Sequence, residues 1–404
     1  MSDHDDRGAA GRPLDGVLVA DFSRVLAGPL ATMTLADLGA RVIKVERPGV
    51  GDETRSWGPP YSTHPPAAST YFESINRTKE SVALDLGDTS EGGDRALAFE
   101  LARRADVVIS NFKPGTMDRL GLGYDHLCAV NPAVIYCEIN GFGSGAGADL
   151  LGYDFVVQAV GGLMSITGAP GEPTKAGVAL VDVLTGKDAT IGILAALAAR
   201  ARTGRGERIE VSLLTSSLAA MVNQGQAALE TGRAPSGLGN RHPSIAPYET
   251  LHCKDALIAV ACGNDGQFAR MATVLGDAAL SADPDYATNA ARVGHREALV
   301  ERLEALLSID TADAWVGALT AADVPAGRVG TILDGVALAE RLGLDPVVDV
   351  SGTSGAASGG PPRTRQLRHP VRWNAYRTAD PSPPPALGEH DAAVRAWLRQ
   401  PDVR

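Results

Sequence analysis

Asp182 is the acidic residue whose surroundings in the sequence best suit covalent chemistry. The segment Val178–Asp182 (VALVD) predicts a buried strand, and a helix is predicted from Gly186 to Arg202. In open α/β sheets ligands bind outside the carboxyl ends of the strands, and a carboxylate there can attack as a nucleophile and become acylated. Asp182 can instead cap the following helix, a role for which Thr185 competes. The residues alone leave these two roles open.

Basic residues at particular positions suit phosphate binding. Arg47 follows the predicted strand Arg41–Glu46, where a cation can hold a sugar phosphate through charge-assisted hydrogen bonds. Lys79, in NRTKES, and Arg119, in MDRLG, can complete a phosphate cluster, although each of these cations can also be a solvated surface charge. His242, in the loop sequence GNRHPS, can contact a substrate carboxylate or simply be exposed.

The motifs of several other enzyme classes are absent from the sequence. The first strand-to-helix turn, Phe22–Pro29 (FSRVLAGP), has one glycine and lacks the dinucleotide-binding GxGxxG pattern. Gly141–Ala146 (GFGSGA) matches that pattern but lacks the following helix and acid, which favours a flexible turn. There is no GxSxG, P-loop or HExxH sequence, and neither the cysteines nor the histidines have metal-ligand spacing. We therefore expect no metal site.

Length and composition argue against nucleic acids and membranes as binding partners. The 404 residues are 44% hydrophobic and carry a formal charge of −11, which argues against a broad phosphate-neutralising surface for nucleic acid. The longest apolar run, Ile191–Ala199, is about half as long as a membrane span needs. The N-terminal sequence MSDHDDRGAAGRP has no apolar region of the secretory kind. We expect a soluble, cytoplasmic protein that binds neither nucleic acid nor membrane.

Strand and helix patterns alternate along the first half of the chain, with Gly or Pro at several boundaries. The predicted strands are Gly16–Phe22, Arg41–Glu46, Ser81–Leu86, Asp106–Phe112 and Ala133–Ile139. The predicted helices between and after them are Pro29–Gly39, Gly92–Ala105, Tyr124–Val130 and Asp154–Met164. Such alternation predicts right-handed crossovers and an open, doubly wound α/β fold with a parallel, Rossmann-like sheet.

The predicted domain boundaries follow changes in composition. Residues 1–15 are predicted to be a flexible tail, and 16–230 to form a large Rossmann-like domain. The Gly-, Pro- and Ser-rich segment Thr231–Pro247 predicts a linker or a functional loop. Two antiparallel strands and several helices beyond it predict a small α+β domain over 231–325. The strand-and-helix pattern then returns, so 326–404 is predicted to rejoin the large domain.

Several long segments occur in an order that resembles the class III CoA-transferases. These segments are Pro13–Arg55, NRTKESVALDL, ADVVISNFKPGTMDRLGLGYD, GYDFVVQAVGGLMSITG, VDVLTGKDATIGILAALAARARTGRGERIEVSLL and PALGEH. The resemblance runs from about Pro13 to His390, nearly the whole chain. It implies an interlocked homodimer, with a Rossmann-like large domain built from both ends of the chain around a small inserted domain.

The resemblance also implies roles for individual residues. Asp182 falls on the family's catalytic aspartate, and Val25 and Ala27 match backbone positions along the adenine and pantetheine path. The positions that match side-chain contacts to CoA are Arg47, Lys79, Asn111, Phe112 and Arg119. Coenzyme A would be bound as acyl-CoA substrate and product, alongside a free carboxylic acid, with no tightly held cofactor. The implied chemistry is attack of the aspartate on the thioester, giving a mixed anhydride and then an aspartyl-CoA thioester.

The residue at position 153, here Tyr153, distinguishes the transferases from the racemases among the proteins that this chain resembles. The α-methylacyl-CoA racemases carry His at this position as an acid/base partner, and a phenol whose ordinary pKa is about 10 exchanges protons poorly at neutral pH. Tyr153 would instead orient acyl groups, together with Leu26, which replaces a Gln of the oxalate enzymes, and His242. The loop SGLGNRHPSIAPYET resembles that of members using succinyl-CoA with dicarboxylic acids. We therefore expect a succinyl-CoA-dependent transferase; the alternatives are a racemase or a non-catalytic CoA-binding protein.

Overall fold

A computed structural model describes residues 11–62, 68–351, 363–376, 378 and 380–401. The chain divides into two compact units. The first unit comprises Met1–Gly162, Ala176–Thr231 and Asp345–Arg404, and the second comprises Leu163–Lys175 and Gly232–Leu344. Among the described residues, no helix combines the length and the apolar character that crossing a bilayer requires.

A six-stranded parallel sheet forms the centre of the first unit. Its strands are β1 (Leu18–Asp21), β2 (Arg41–Glu46), β3 (Lys79–Ala83), β4 (Val107–Ser110), β5 (Ile135–Asn140) and β6 (Glu207–Ser212). The order across the sheet is β3-β2-β1-β4-β5-β6, so the direction of winding reverses between β1 and β4. This topology confirms the predicted open α/β fold, and the reversal marks the crevice where such sheets bind ligands.

Helices cover this sheet and connect its strands. The helices of the first unit up to residue 231 are α1 (Ala27–Asp37), α2 (Thr70–Glu73), α3 (Asp94–Arg104), α4 (Thr116–Arg119), α5 (Tyr124–Val130), α6 (Asp154–Val160), α8 (Leu180–Thr203), α9 (Leu213–Ala220) and α10 (Val222–Thr231), and α7 (Leu163–Ile166) belongs to the second unit. A 3₁₀ turn spans Glu53–Ser56. The strand predicted for Val178–Asp182 is wrong, because α8 already begins at Leu180 and contains Asp182. A short apolar run bounded by Gly does not by itself distinguish a buried helix from a strand.

The second unit has its own antiparallel sheet and core. Its strands are β7 (Tyr248–His252), β8 (Leu257–Ala261) and β9 (Ala326–Arg328), in the order β7-β8-β9. Its helices beyond α7 are α11 (Asp265–Val274), α12 (Asn289–Gly294), α13 (Arg296–Leu307), α14 (Ala312–Ala321) and α15 (Ile332–Arg341), and a 3₁₀ turn spans Ala278–Ala282. The β7–β8 pairing confirms the predicted hairpin. Because Ala326 pairs with Val260, the segment after 325 continues this sheet, and the chain re-enters the first unit at Asp345.

The C-terminal segment completes the first unit. It contains the antiparallel pair β10 (Val347–Ser351) and β11 (Arg363–Leu367), followed by α16 (Asp391–Leu398). Val394 and Leu398 of α16 are buried in the same hydrophobic core as Leu18 and Val108 of the central sheet. The last helix of the chain is therefore part of the core built on the first strand.

Candidate active site

Asp182 lies in the first turn of α8, where the main chain is held by a side chain from another helix. Ala179, at the N-cap position, offers no side-chain cap. Asp154, at the start of α6, caps this helix instead, although it is remote from it in the sequence. Its Oδ1 accepts hydrogen bonds from the backbone N–H groups of Val181 (2.8 Å) and Asp182 (3.2 Å). The free N–H groups of a helix start need such acceptors when they are buried. Asp154 therefore fixes the backbone that carries Asp182.

Gln158 in turn fixes Asp154. Its Nε2 donates to Asp154 Oδ2 (2.7 Å), and its Oε1 accepts the backbone N–H of Ala176 (2.9 Å). The side chain is completely buried, so neither bond competes with solvent. One glutamine thus joins α6 to the segment that leads into α8.

Asp182 is buried, with 8% of its surface exposed. The pKa of its carboxyl is raised, which favours the protonated form. Burial raises its pKa to about 7, and the nearby charge of Asp154 adds to the shift. A helix N-terminus ordinarily favours a carboxylate, so loss of hydration outweighs the helix dipole here. The Asp182 carboxyl has no hydrogen bond to any described residue. It is an under-solvated carboxyl that titrates near neutrality, a state suited to nucleophilic attack.

Asp182 opens into a cavity of about 190 Å³, the first cavity. Its wall is made of Arg24–Ala27, Asn111–Pro114, Ile139–Gly141, Leu150–Tyr153, Asp182 and Leu213. Most of these segments follow the carboxyl ends of β1, β4, β5 and β6. The cavity therefore lies at the reversal of strand order, where the topology predicts a ligand site. It brings together Val25, Leu26, Ala27, Asn111, Phe112, Tyr153 and Asp182 of the residues singled out in the sequence.

The turn between β1 and α1 is held in an unusual backbone conformation. Val25 has a φ of 69°, which is costly for a β-branched residue. Its N–H donates to both carboxyl oxygens of Asp52 (3.3 Å each). Asn111 Oδ1 accepts the N–H of Arg24 (2.9 Å), and Asn111 Nδ2 donates to the Arg24 carbonyl (2.6 Å). The Asn111 amide thus positions this turn through the backbone of Arg24.

A second cavity of about 320 Å³ adjoins the first and shares Arg24 and Phe112 with it. Its wall consists of Phe22–Arg24, Lys44–Arg47, Val50–Glu53, Leu84–Gly87 and Phe112. Arg47 follows β2 and lines this cavity, as a phosphate-binding cation would. Sequence reasoning missed Arg24 and Leu84–Gly87. Leu84–Gly87 directly follows β3, which pairs with β2, and this position could have indicated that the segment lies near Arg47. The pairing of β2 with β3 cannot be deduced from the local sequence of either strand.

Lys79 and Arg119 are not brought to either cavity, so only Arg47 of the basic trio lines one. The Lys79 ammonium is completely buried and donates to Asp21 Oδ2 (3.2 Å), the Pro29 carbonyl (2.9 Å) and Asn76 Oδ1 (2.9 Å). Burial lowers its pKa to about 8. Arg119, at the end of α4, is exposed and donates to Thr116 Oγ1 (2.9 Å).

His242 belongs to the second unit. Its ring packs against that of Tyr248, with 5.0 Å between ring centroids, and its Nδ1 accepts the backbone N–H of Ser244 (3.1 Å). These contacts fix the imidazole within its own loop.

Tyr71, in α2, is a residue near Asp182 that the sequence did not reveal. Burial raises its pKa to about 12, and the charges of Asp182 and Asp154 add to this shift, so the phenol stays protonated near the acidic pair. Its ring packs edge-on against Trp57, with 5.4 Å between centroids. More than 100 residues separate Tyr71 from Asp182, and no local pattern links them.

Comparisons with known proteins identify the family of the chain. The sequence model described as CoA-transferase family III matches residues 14–391. A succinate–glutarate CoA-transferase of Agrobacterium fabrum is 42% identical over 396 residues, with 96% of each chain covered. An acetyl-CoA:oxalate CoA-transferase of Acetobacter aceti is 38% identical, with 97% of each chain covered.

One solved structure resembles this chain in both sequence and fold. The crystal structure of a CaiB/BaiF family protein from Brucella suis is 41% identical in sequence and superposes with a TM-score of 0.85. The match covers 96% of this chain and all of that one. Agreement of the family model, the curated relatives and the fold over nearly the full length leads to one conclusion: the chain belongs to CoA-transferase family III.

Proposed function

We propose that this enzyme transfers CoA from succinyl-CoA to a dicarboxylic acid, with Asp182 as the nucleophile. The observation that carries the proposal is the Asp182 carboxyl, which is buried, makes no hydrogen bond within the described part of the chain, and lies at a cavity on the carboxyl edge of the sheet. The name of the Agrobacterium relative joins succinate to glutarate, which supports glutarate as an acceptor to test first.

The first half-reaction loads CoA onto the enzyme. An Asp182 carboxylate oxygen attacks the thioester carbonyl, the C–S bond breaks, and a mixed succinyl–aspartyl anhydride and CoA thiolate result. The thiolate attacks the aspartyl carbonyl, the C–O bond to the succinyl group breaks, and succinate leaves. An aspartyl-CoA thioester remains on Asp182. No proton is gained or lost in these two steps.

The second half-reaction repeats these steps in reverse. A carboxylate of the acceptor attacks the aspartyl thioester and releases CoA thiolate, leaving an anhydride between the acceptor and Asp182. The thiolate then attacks the acceptor's acyl carbon, which gives the new acyl-CoA and restores the Asp182 carboxylate. Holding the thiolate beside the anhydride makes its return faster than hydrolysis.

Residues of the two cavities bind CoA in this proposal. Arg47 holds phosphate in the second cavity through charge-assisted hydrogen bonds. Phe112, which lines both cavities, and the backbone of Val25 and Ala27 border the pantetheine path. The side chains that orient the acyl group next to Asp182 are Leu26 and Tyr153 in the first cavity. CoA is bound as substrate and product.

Paired variants of two aspartates on α8 test the proposal. Asp182→Asn is expected to lower transfer of CoA from succinyl-CoA to labelled glutarate by at least about 10³-fold, since it removes the nucleophile. Asp188→Asn, at an exposed position on the same helix, is expected to retain full activity. Full activity of Asp182→Asn would overturn the assignment. Deuterium exchange at the α-carbon of a 2-methylacyl-CoA would instead indicate a racemase, and CoA binding without any transfer would indicate a non-catalytic binding protein.

We also propose an interlocked homodimer that acts in the cytoplasm. The dimer is supported by apolar side chains exposed on α15, including Ile332 (81% exposed) and Leu333 (78% exposed). All four cysteines are free thiols, as in a reducing compartment.

A further inference from the structure

The turn between β1 and α1, Phe22–Leu26, contributes to both the first and the second cavity. Its first three residues line the second cavity, and its last three line the first. Its shape depends on Val25, whose φ of 69° is in the left-handed region that a β-branched residue adopts only at a cost. Contacts from the rest of the fold must therefore stabilise this conformation.

Asp52 stabilises the turn at Val25 and is itself firmly fixed. Its two carboxyl oxygens accept the N–H of Val25, at 3.3 Å each. Asp52 Oδ1 also accepts the N–H (3.0 Å) and the hydroxyl (2.8 Å) of Thr54, and the N–H of Asp52 donates to Glu46 Oε2 (3.0 Å). Asp52 is buried, so solvent does not compete for these bonds. The acceptor for Val25 therefore has one position.

Lys44 joins Asp52 to the turn a second time. Its buried ammonium pairs with Asp52 Oδ2 (2.9 Å) and donates to the carbonyl of Ser23 (2.7 Å). Burial by itself lowers the pKa of Lys44, but the charges of Asp52, Asp21 and Glu46 outweigh burial and raise that pKa, so the ammonium stays charged. One ion pair thus contacts the turn on both sides of Arg24, at Ser23 and at Val25.

We propose that Asp52 and Lys44 are positioning residues that hold the β1–α1 turn in its CoA-binding conformation in the free enzyme. The inference rests on the proposed function, because it takes the two cavities as the path of CoA between Arg47 and Asp182. Without the ion pair the turn occupies other conformations for part of the time, and the affinity for CoA falls by the fraction of enzyme that has lost the correct one.

Titration calorimetry of the full-length enzyme with CoA tests this role. Asp52→Ala is expected to raise the Kd of CoA by about 5- to 100-fold, the range expected when a strained backbone conformation is no longer held. KM for succinyl-CoA should rise in proportion, while kcat at saturation stays within about threefold of wild type, because bound CoA restores the turn.

Asp37→Ala is the matched control for loss of a buried carboxylate. Asp37, at the far end of α1, pairs with the buried Arg77 (2.6 Å) and lines neither of the two cavities. This variant should also lose stability in thermal unfolding, but its Kd for CoA should stay within about twofold of wild type. An equal loss of CoA affinity in both variants would overturn the proposal, as would an unchanged Kd in Asp52→Ala.

Val25→Gly distinguishes positioning from direct contact with CoA. Glycine adopts a positive φ without steric cost, so in the Val25→Gly background Asp52→Ala should raise the Kd by less than about threefold. The same loss in both backgrounds would show that Asp52 contacts CoA directly and would overturn the proposal.

Lys44→Met tests the other half of the ion pair. It should raise the Kd of CoA, and the double variant with Asp52→Ala should cost no more than the larger single effect, since both act through one turn. The double variant leaves neither partner without its counter-charge, so it gives the answer if Asp52→Ala does not fold. Additive losses would overturn the proposal. The proposed function is read separately, from wild-type CoA transfer, and it fails if wild type transfers no CoA.

Discussion

At the scale of single residues, Asp154 has two effects on Asp182. It accepts the N–H groups at the start of α8 and so fixes the backbone of the nucleophile. Its charge also opposes ionisation of Asp182, whose pKa burial has already raised to about 7. The same contact that positions the nucleophile therefore keeps a fraction of it protonated at neutral pH.

Asp154→Asn separates these effects, because an amide oxygen can still accept the helix N–H groups but carries no charge. The pKa of Asp182 is expected to fall, so the acid limb of kcat/KM for succinyl-CoA, centred at about 7 in the wild type, should move to lower pH. The measurement is the pH profile of kcat/KM. An unmoved limb, or one moved to higher pH, would contradict the assigned cause.

Asp182→Asn is expected to make the protein more stable above neutral pH. The raised pKa means that the native state binds more protons than the unfolded state between about pH 4 and pH 7, so stability falls as pH rises through this window. The variant should gain about 1–4 kcal/mol in the free energy of unfolding at pH 8, from a shift between 3.8 and about 7. Urea denaturation across this pH range measures the gain.

The gain of Asp182→Asn should shrink as the pH approaches 4. Asp188→Asn, exposed on the same helix, is the matched control and should show no comparable gain. A loss of stability of Asp182→Asn at pH 8 would show that the carboxylate is favoured by its surroundings and would count against the account.

At the scale of elements, contact between α1 and α8 sets one wall of the first cavity. Gly186 of α8 faces α1 so closely that a Cβ there would lie 2.6 Å from the Ala27 carbonyl oxygen. Ala27 is in the wall of the cavity and Asp182 is one helical turn before Gly186. The spacing of these two helices therefore controls the spacing of the CoA path and the nucleophile.

Gly186→Ala is expected to force the two helices apart. Overpacking against a backbone carbonyl should cost about 1–3 kcal/mol of unfolding free energy and lower kcat for CoA transfer. Gly317→Ala, in α14, is the matched control because its Cβ meets nothing within 4 Å; it should gain about 0.5–1 kcal/mol from helix propensity. Thermal unfolding and transfer rates measure both variants. A stabilised, fully active Gly186→Ala protein would contradict the proposed contact.

The parts of the fold with strong local patterns were predictable from sequence. Apolar strand patterns that alternate with helix patterns bounded by Pro or Gly, such as Pro29–Gly39, predicted the parallel sheet, which the order of its six strands confirms. The start of α8 was not predictable, because its first turn is capped by Asp154 from a distant segment. The burial of Lys79 against Asp21 and the nearness of Tyr71 to Asp182 also depend on contacts between remote segments.

At the scale of the whole molecule, both ends of the chain build the first unit. The C-terminal helix α16 adds Val394 and Leu398 to the core of the central sheet. Most of the second unit, Gly232–Leu344, lies between β6 and β10 in the sequence, and its last helix, α15, has no buried residue. The exposed apolar face of α15 is suited to a contact with a second copy of the chain.

The proposed interlocked dimer predicts that subunits do not exchange. Two forms of the protein, tagged and untagged, should give no mixed dimers when mixed in buffer, since unthreading requires unfolding. Mixed dimers should appear only after joint denaturation and refolding. Native mass spectrometry measures both outcomes; rapid exchange in buffer would indicate a simple, separable dimer, and a mass of one chain would exclude a dimer.

The proposed mechanism depends most on whether Asp182 becomes acylated. The direct measurement is mass spectrometry of peptides from enzyme quenched during turnover of succinyl-CoA, with and without hydroxylamine. A CoA adduct is expected on the peptide that contains Asp182, converted by hydroxylamine to an aspartyl hydroxamate, and no adduct is expected in Asp182→Asn. Continued transfer with Asp182 unmodified, or an adduct on another residue, would contradict this mechanism.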